Sequence, residues 1–210
     1  MIHRSVRARG DELSRSLPGD ELLATARSLT HAITIRASRH DVWPWLVQMG
    51  AGRAGWYSYD RIDNGGKHSL ERIAPELQHI ALGDVFPAMP GVTEGFIVLG
   101  YEAYRFLILG WLGPTGTPVV TWSFVLNEAE PQSTRLIVRA RGGDDYRPPF
   151  GLPQWTANTV VPLGHAIMQR KQLIGIARRA EGALHAWQAD LAAPGLPAGA
   201  GRDAVCNCCA

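Results

Sequence analysis

Apolar and polar residues alternate over 31–36, with Ile33 and Ile35 on one side and Ala32, Thr34 and Arg36 on the other, the pattern of a short strand. The period then changes. Ser38 can cap a helix and Asp41 puts an acid in its first turn. Val42, Trp45, Leu46 and Met49 follow at i, i+3, i+4 and i+7, so the spacing predicts a helix ending at Gly50, bent at Pro44. Residues 55–77 predict short helical pieces broken by Asn64-Gly65-Gly66. Strands are expected over 82–86, 95–101 and 104–111, the last apolar almost throughout except Arg105.

The clearest hairpin comes next. Over 119–126, Val120, Trp122, Phe124 and Leu126 share one face, with Thr121 and Ser123 on the other. Residues 130–133 turn the chain, and 134–141 return with Leu136, Val138 and Ala140 facing one way and Arg135, Arg139 and Arg141 the other. The final element, 160–187, is a helix roughly 40 Å long at the usual rise per residue. Leu173, Ile176, Ala177, Ala180, Leu184 and Trp187 form its apolar face, opposite Lys171, Arg178 and His185. Gly164, Gly175 and Gly182 weaken the helix but permit close approach by a neighbour. A long helix against a curved antiparallel sheet is an α+β arrangement.

The two ends differ from this core. Residues 1–30 are polar, with a turn at Leu17-Pro18-Gly19-Asp20, and read as a flexible lead-in or a strap laid over the domain. Residues 193–210 are rich in Gly, Pro and Ala and are expected to be disordered. The domain is therefore expected over 17–187, after a flexible segment at 1–16. At 210 residues the chain has room for one domain. A net charge of +2, from 21 basic and 19 acidic residues, gives no electrostatic case for nucleic-acid binding. No apolar run nears the roughly 20 residues of a membrane span, and the basic N-terminus lacks the apolar stretch of a secretory signal. All three cysteines fall in the last five residues, which is not a disulfide framework. A soluble, cytoplasmic protein is expected.

Several stretches carry a family resemblance: Leu17-Pro18-Gly19-Asp20-Glu21, then Thr34-Ile35 leading to Val42-Trp43-Pro44-Trp45-Leu46-Val47-Gln48-Met49-Gly50, and Gly52-Arg53-Ala54-Gly55-Trp56-Tyr57-Ser58-Tyr59-Asp60. Leu82-Gly83-Asp84, Gly95-Phe96-Ile97-Val98 and Thr121-Trp122-Ser123-Phe124-Val125-Leu126 extend it. Together with the element order, these resemble a bacterial branch of the START-like, or polyketide cyclase/dehydrase-like, superfamily. The resemblance implies the helix-grip fold: a curved antiparallel sheet wrapped around a long C-terminal helix, with two short helices after the first strand. It also implies a cavity between sheet and helix that holds a small hydrophobic or amphipathic molecule such as a lipid, polyketide or aromatic compound. Only some members are enzymes, and their catalytic residues differ, so no role transfers to a position here. No cofactor is implied.

Candidate residues follow from the chemistry available. Trp56-Tyr57-Ser58-Tyr59-Asp60-Arg61 sets three aromatics beside an acid and a base, suited to lining a ligand site or to sealing a core. His165, near the start of the long helix, can exchange a proton near neutrality. Tyr57, Tyr59, Asp60 and His165 are the candidates for a cyclase- or hydratase-type reaction. Trp45, Met49, Trp56, Tyr57, Tyr59, Phe96, Trp122, Phe124 and His165 are those for ligand contact, and Trp155 also faces inward by this reading. The glycine pattern Gly50-Ala51-Gly52-Arg53-Ala54-Gly55 has the dinucleotide spacing but follows a helical stripe instead of a strand, and reads as a turn. Cys206, Cys208 and Cys209 could capture a soft metal, although three thiols make an incomplete tetrahedral set.

Overall fold

The computed structural model describes residues 5–24, 26–143, 146, 153 and 160–192, with side chains to residue 182 in the last helix. The Cys-ended tail, Trp155 and residues 193–210 lie outside the described residues. Six antiparallel strands form one sheet in the order β1-β6-β5-β4-β3-β2. They are β1 (Arg27–Ile35), β2 (Val85–Pro87), β3 (Gly95–Glu102), β4 (Phe106–Leu112), β5 (Pro118–Glu130) and β6 (Ser133–Gly142). Two short helices, α2 (Arg39–Val47) and α3 (Asp60–Asp63), follow β1, and the long α4 (Val160–Ala192) closes the domain. This is the helix-grip arrangement. A further short helix, α1 (Gly10–Ser14), precedes β1.

The local signals act as expected at α2. The Ser38 hydroxyl accepts from the Asp41 N–H, and the Asp41 carboxylate accepts from the Ser38 N–H at 3.2 Å, a reciprocal cap. Strand β1 begins four residues earlier than its alternation indicates, because its partner β6 pairs with it from Arg27↔Gly142 to Ile35↔Thr134. Strand β4 begins two residues later. Tyr104 has φ 63, a left-handed backbone that serves the turn between β3 and β4 and not a strand.

Parity assigns the two faces of the sheet. Ile33, Ile35, Val98, Leu107, Leu109, Phe124, Leu126, Leu136 and Val138 are buried on the inner face with α2 and with Leu173, Ile176, Ala177 and Ala180 of α4. The outer face carries Arg135, Arg139 and Arg141, and residues 5–24 lie across it as a strap. The boundary expected at residue 17 falls inside this strap. Leu17 packs on Ala32, Val125 and Ile137. Gly19 meets the sheet so closely that a Cβ there would stand 2.6 Å from the Ser123 hydroxyl, and its φ of +92 suits glycine.

Polar contacts hold the strap. Arg135 forms a two-pronged pair with Glu12, at 2.8 Å for each prong. Arg139 pairs with Asp20 and donates to the carbonyls of Glu12, Leu13 and Arg15. Arg141 serves Asp20 and the carbonyls of Leu23, Ala24 and Ala26. A strap with little regular structure leaves its own carbonyls unpaired, and the guanidinium forks supply the missing donors.

Candidate functional site

The inner face has an aromatic end. Strand pleating turns Phe96 of β3, Trp111 of β4 and Trp122 of β5 to the same side as the buried Val98, Leu109 and Phe124. Phe96 meets Trp111 edge-on with ring centres 5.6 Å apart and lies 5.2 Å from Trp122. Trp56, from the loop after α2, stacks on Trp122 at 5.4 Å and 27°. Its indole N–H donates to the Pro87 carbonyl at 3.2 Å, which fixes the ring. Trp56 is buried, whereas Phe96, Trp111 and Trp122 are each half-buried and form a continuous wall that remains accessible.

Polar groups border this wall. The Trp122 indole N–H donates to Gln169 Oε1 at 2.9 Å, Gln169 Nε2 donates to Gln172 Oε1 at 2.8 Å, and Gln172 Nε2 points to the Met49 sulfur at 3.7 Å. Both glutamines are buried on α4. His165, one turn earlier, meets Trp122 edge-on at 5.9 Å. His31 stands on the inner face of β1, its ring centre 6.3 Å from that of His165. Beside Trp122, β6 carries Ala140 and β4 carries Leu109. Burial lowers the pKa of His165 to about 4, with the nearby His31 adding to the effect, and burial lowers that of His31 as well. Both imidazoles are therefore neutral at physiological pH.

The sequence candidates divide into three places. Trp56, Phe96, Trp122 and His165 come together at the wall. Trp45, Met49 and Phe124 are sealed in the core, at most 1% exposed, with Trp45 edge-on to Tyr57. Tyr57, Tyr59 and Asp60 lie by the loop that packs on the middle of α4. The Tyr57 hydroxyl accepts from Gln48 Nε2 at 2.9 Å, the Arg179 guanidinium covers its ring at 4.6 Å, and burial pushes its phenol pKa upward. Tyr59 is exposed beside Lys171. Asp60 accepts from the Ser69 hydroxyl at 2.6 Å and faces His68 at 3.6 Å. Tyr57 and Asp60 line a charged cleft of about 160 Å³ with Glu71, Lys171, Arg178 and Arg179, and His165 is not part of it. A second cleft, about 430 Å³, runs between strap residues 5–9 and Ile33, Thr34 and Arg135. Neither cleft lies between the aromatic wall and α4.

Trp111, His31, Gln169 and Gln172 were not among the sequence candidates. Each had a readable signal. His31 has the parity of Ile33 and Ile35, Trp111 that of Leu109, and Gln169 and Gln172 stand one helical turn before Leu173 and Ile176 on the apolar face of α4.

Asp63, at the end of α3, is buried, with the Ser58 hydroxyl and nearby backbone N–H groups beside its carboxylate. Burial, reinforced by the charge of Asp60, raises its pKa to about 6. An acid whose folded pKa exceeds its unfolded value stabilises least once pH has risen above the folded value. Asp63→Asn is thus expected to raise stability at pH 8, by on the order of 2 kcal/mol for a shift of this size, and to give no gain at pH 4. Urea unfolding at the two pH values measures this, and equal effects at both would contradict it.

No family model matches the chain, and no curated protein matches it. Among solved structures it is similar to CalU16 from Micromonospora echinospora, 17% identical over 91% of this chain and 98% of that one, with a TM-score of 0.42. It is also similar to the Polyketide_cyc-like protein Cgl2372 from Corynebacterium glutamicum, 15% identical over 78% and 97%, with a TM-score of 0.39. Norcoclaurine synthase from Thalictrum flavum is 13% identical over 84% and 97%, with a TM-score of 0.37. The architecture itself rests on the strand order and the position of α4. Among the described residues, no helix is long and apolar enough to cross a membrane.

Proposed function

We propose that the protein binds a small hydrophobic or amphipathic molecule with a flat, aromatic-like portion against the wall of Phe96, Trp111 and Trp122. One observation carries this reading: on the inner face of the sheet Phe96 touches both Trp111 and Trp122, and all three stay half-buried. Covering such a surface with an apolar ligand gains about 25 cal/mol per Å² before the costs of association. The bordering polar groups, His165 and His31, supply the few oriented contacts that a mainly apolar site uses for selection. The first turns of α4 also expose Val160, Leu163 and Ile167, adding apolar surface on the element that carries His165.

The test has two parts. Protein purified from its host is extracted with organic solvent and the extract identified by mass spectrometry. The stripped protein is then titrated with the fluorescent probe anilinonaphthalene sulfonate. Phe96→Ala and Trp111→Ala are each expected to weaken probe binding about tenfold, near 1.4 kcal/mol, with little change in melting temperature. If nothing is extracted and both variants bind the probe like the parent, the reading fails.

A further inference from the structure

We propose that His31 and His165 form a two-coordinate site for a soft monovalent metal ion, Cu(I) in character, on the inner face of the sheet where α4 begins. The Nδ1 atom of His31 and the Nε2 atom of His165 are both buried, and neither has a hydrogen-bond partner. Two buried polar atoms without partners, on rings whose centres are 6.3 Å apart, are costly unless something outside the chain satisfies them.

The ring separation matches in-line coordination if the two unpartnered nitrogens face each other. A metal–nitrogen bond of about 2.0 Å sets the ion roughly 3.2 Å from each ring centre. Two rings on opposite sides of one ion then stand roughly 6.4 Å apart, whereas tetrahedral angles draw them to roughly 5.2 Å. The observed separation is 6.3 Å, with the rings inclined at 59°. Charge selects the ion. Among the described residues no group of three or more His, Cys, Asp and Glu side chains is placed to hold a metal. Zn²⁺ wants four donors, and Ca²⁺ and Mg²⁺ want oxygen. Two imidazoles under the edge of Trp122 fit a d¹⁰ monovalent ion, which is content with two donors in line and carries half the charge of a divalent ion into an apolar setting.

The experiment uses the full-length chain with Cys206→Ser, Cys208→Ser and Cys209→Ser, so that tail thiols do not compete. Cu(I) is supplied without oxygen from a chromophoric chelator, and the colour change reports affinity and stoichiometry. One equivalent is expected, and His31→Phe and His165→Phe should each lower the affinity tenfold or more. A measurement on the unaltered histidines guards against misfolding of these variants. Ag(I), a redox-inert stand-in, is added to ¹⁵N-labelled protein, and the ring-nitrogen signals of His31 and His165 are expected to shift while those of the exposed His40 and His68 stay in place. No uptake of Cu(I), unchanged affinity in both variants, tighter binding of Zn²⁺ than of Cu(I), or Ag(I) shifts confined to other histidines would each overturn the proposal.

Discussion

Replacing Arg135 with alanine is expected to lower the melting temperature by on the order of 10 °C. The side chain of Glu12 is 4% exposed and that of Arg135 11%, so the variant leaves a carboxylate shut away from water with its counter-ion gone. Breaking a buried pair from one side costs about 3–5 kcal/mol, and each kcal/mol is worth roughly 2–4 °C in a chain of this size. Arg135 also donates to the Arg7 carbonyl and to Thr34, so the strap loses an anchor along with a charge. Pairing Arg135→Met with Glu12→Leu should recover most of the loss, because the uncompensated charge causes it. Circular-dichroism melts decide the matter, and a single-variant loss no larger than that of the double variant would refute the explanation. Acid adds an independent check. The Arg135 hydrogen bond, opposed by burial, holds the Glu12 carboxyl below its ordinary value. A depressed folded pKa gives stability that is complete above the usual glutamate range and is lost as pH falls through the folded value. The parent should therefore lose stability more steeply than the double variant below about pH 4.

The second large effect is expected at Gly175, where ordinary helix propensity gives the wrong sign. Alanine in a helix interior is favoured over glycine by about 1 kcal/mol. Here a Cβ would stand 2.3 Å from the Tyr57 carbonyl oxygen and 3.0 Å from its Cβ. The obstacle is backbone, and Tyr57 itself holds a left-handed φ of 59, so the loop has little freedom to retreat. Overpacking of this kind costs about 1–3 kcal/mol or more. Gly175→Ala should therefore destabilise the protein by about 1–2 kcal/mol net and loosen the loop of Tyr57 and Ser58 against α4. Gly182→Ala, with no atom within 4 Å of the added carbon, is the matched control and should stabilise. Chemical denaturation of the two variants tests the contrast; a stabilising Gly175→Ala would show that the loop yields.

The sequence pattern was informative wherever neighbours along the chain decide the structure. The Ser38–Asp41 cap, the β5–β6 alternation and the Leu173–Ile176–Ala177–Ala180 stripe needed no distant partner to be read. The strap was only half legible. Arg135, Arg139 and Arg141 alternate as a solvated face would, and nothing local tells that Glu12 and Asp20, more than a hundred residues earlier, cover them. The site was partly legible for a related reason. Trp45 and Trp122 obey equally clean periodicities, yet one, on α2, is sealed in the core and the other, on β5, is half-buried. Periodicity gives the face a side chain takes, while what distant segments pack onto that face decides whether it stays accessible. His31 shows the same limit: its parity fixed its side of the sheet, but its nearness to His165 depends on where α4 crosses.

The pairing of strap and sheet also sets an order of assembly. Glu12 and Arg135 are 123 residues apart, and β1 pairs along its whole length with β6 alone. At translation speeds of about 5–20 residues per second, the strap waits on the order of ten seconds for the arginines it must meet. Until then Glu12 and Asp20 remain hydrated, and β1 is a lone strand with no ladder to join. The strap is thus made well before the sheet it covers, and its charged residues keep it in water through the interval in which it has nothing to bind.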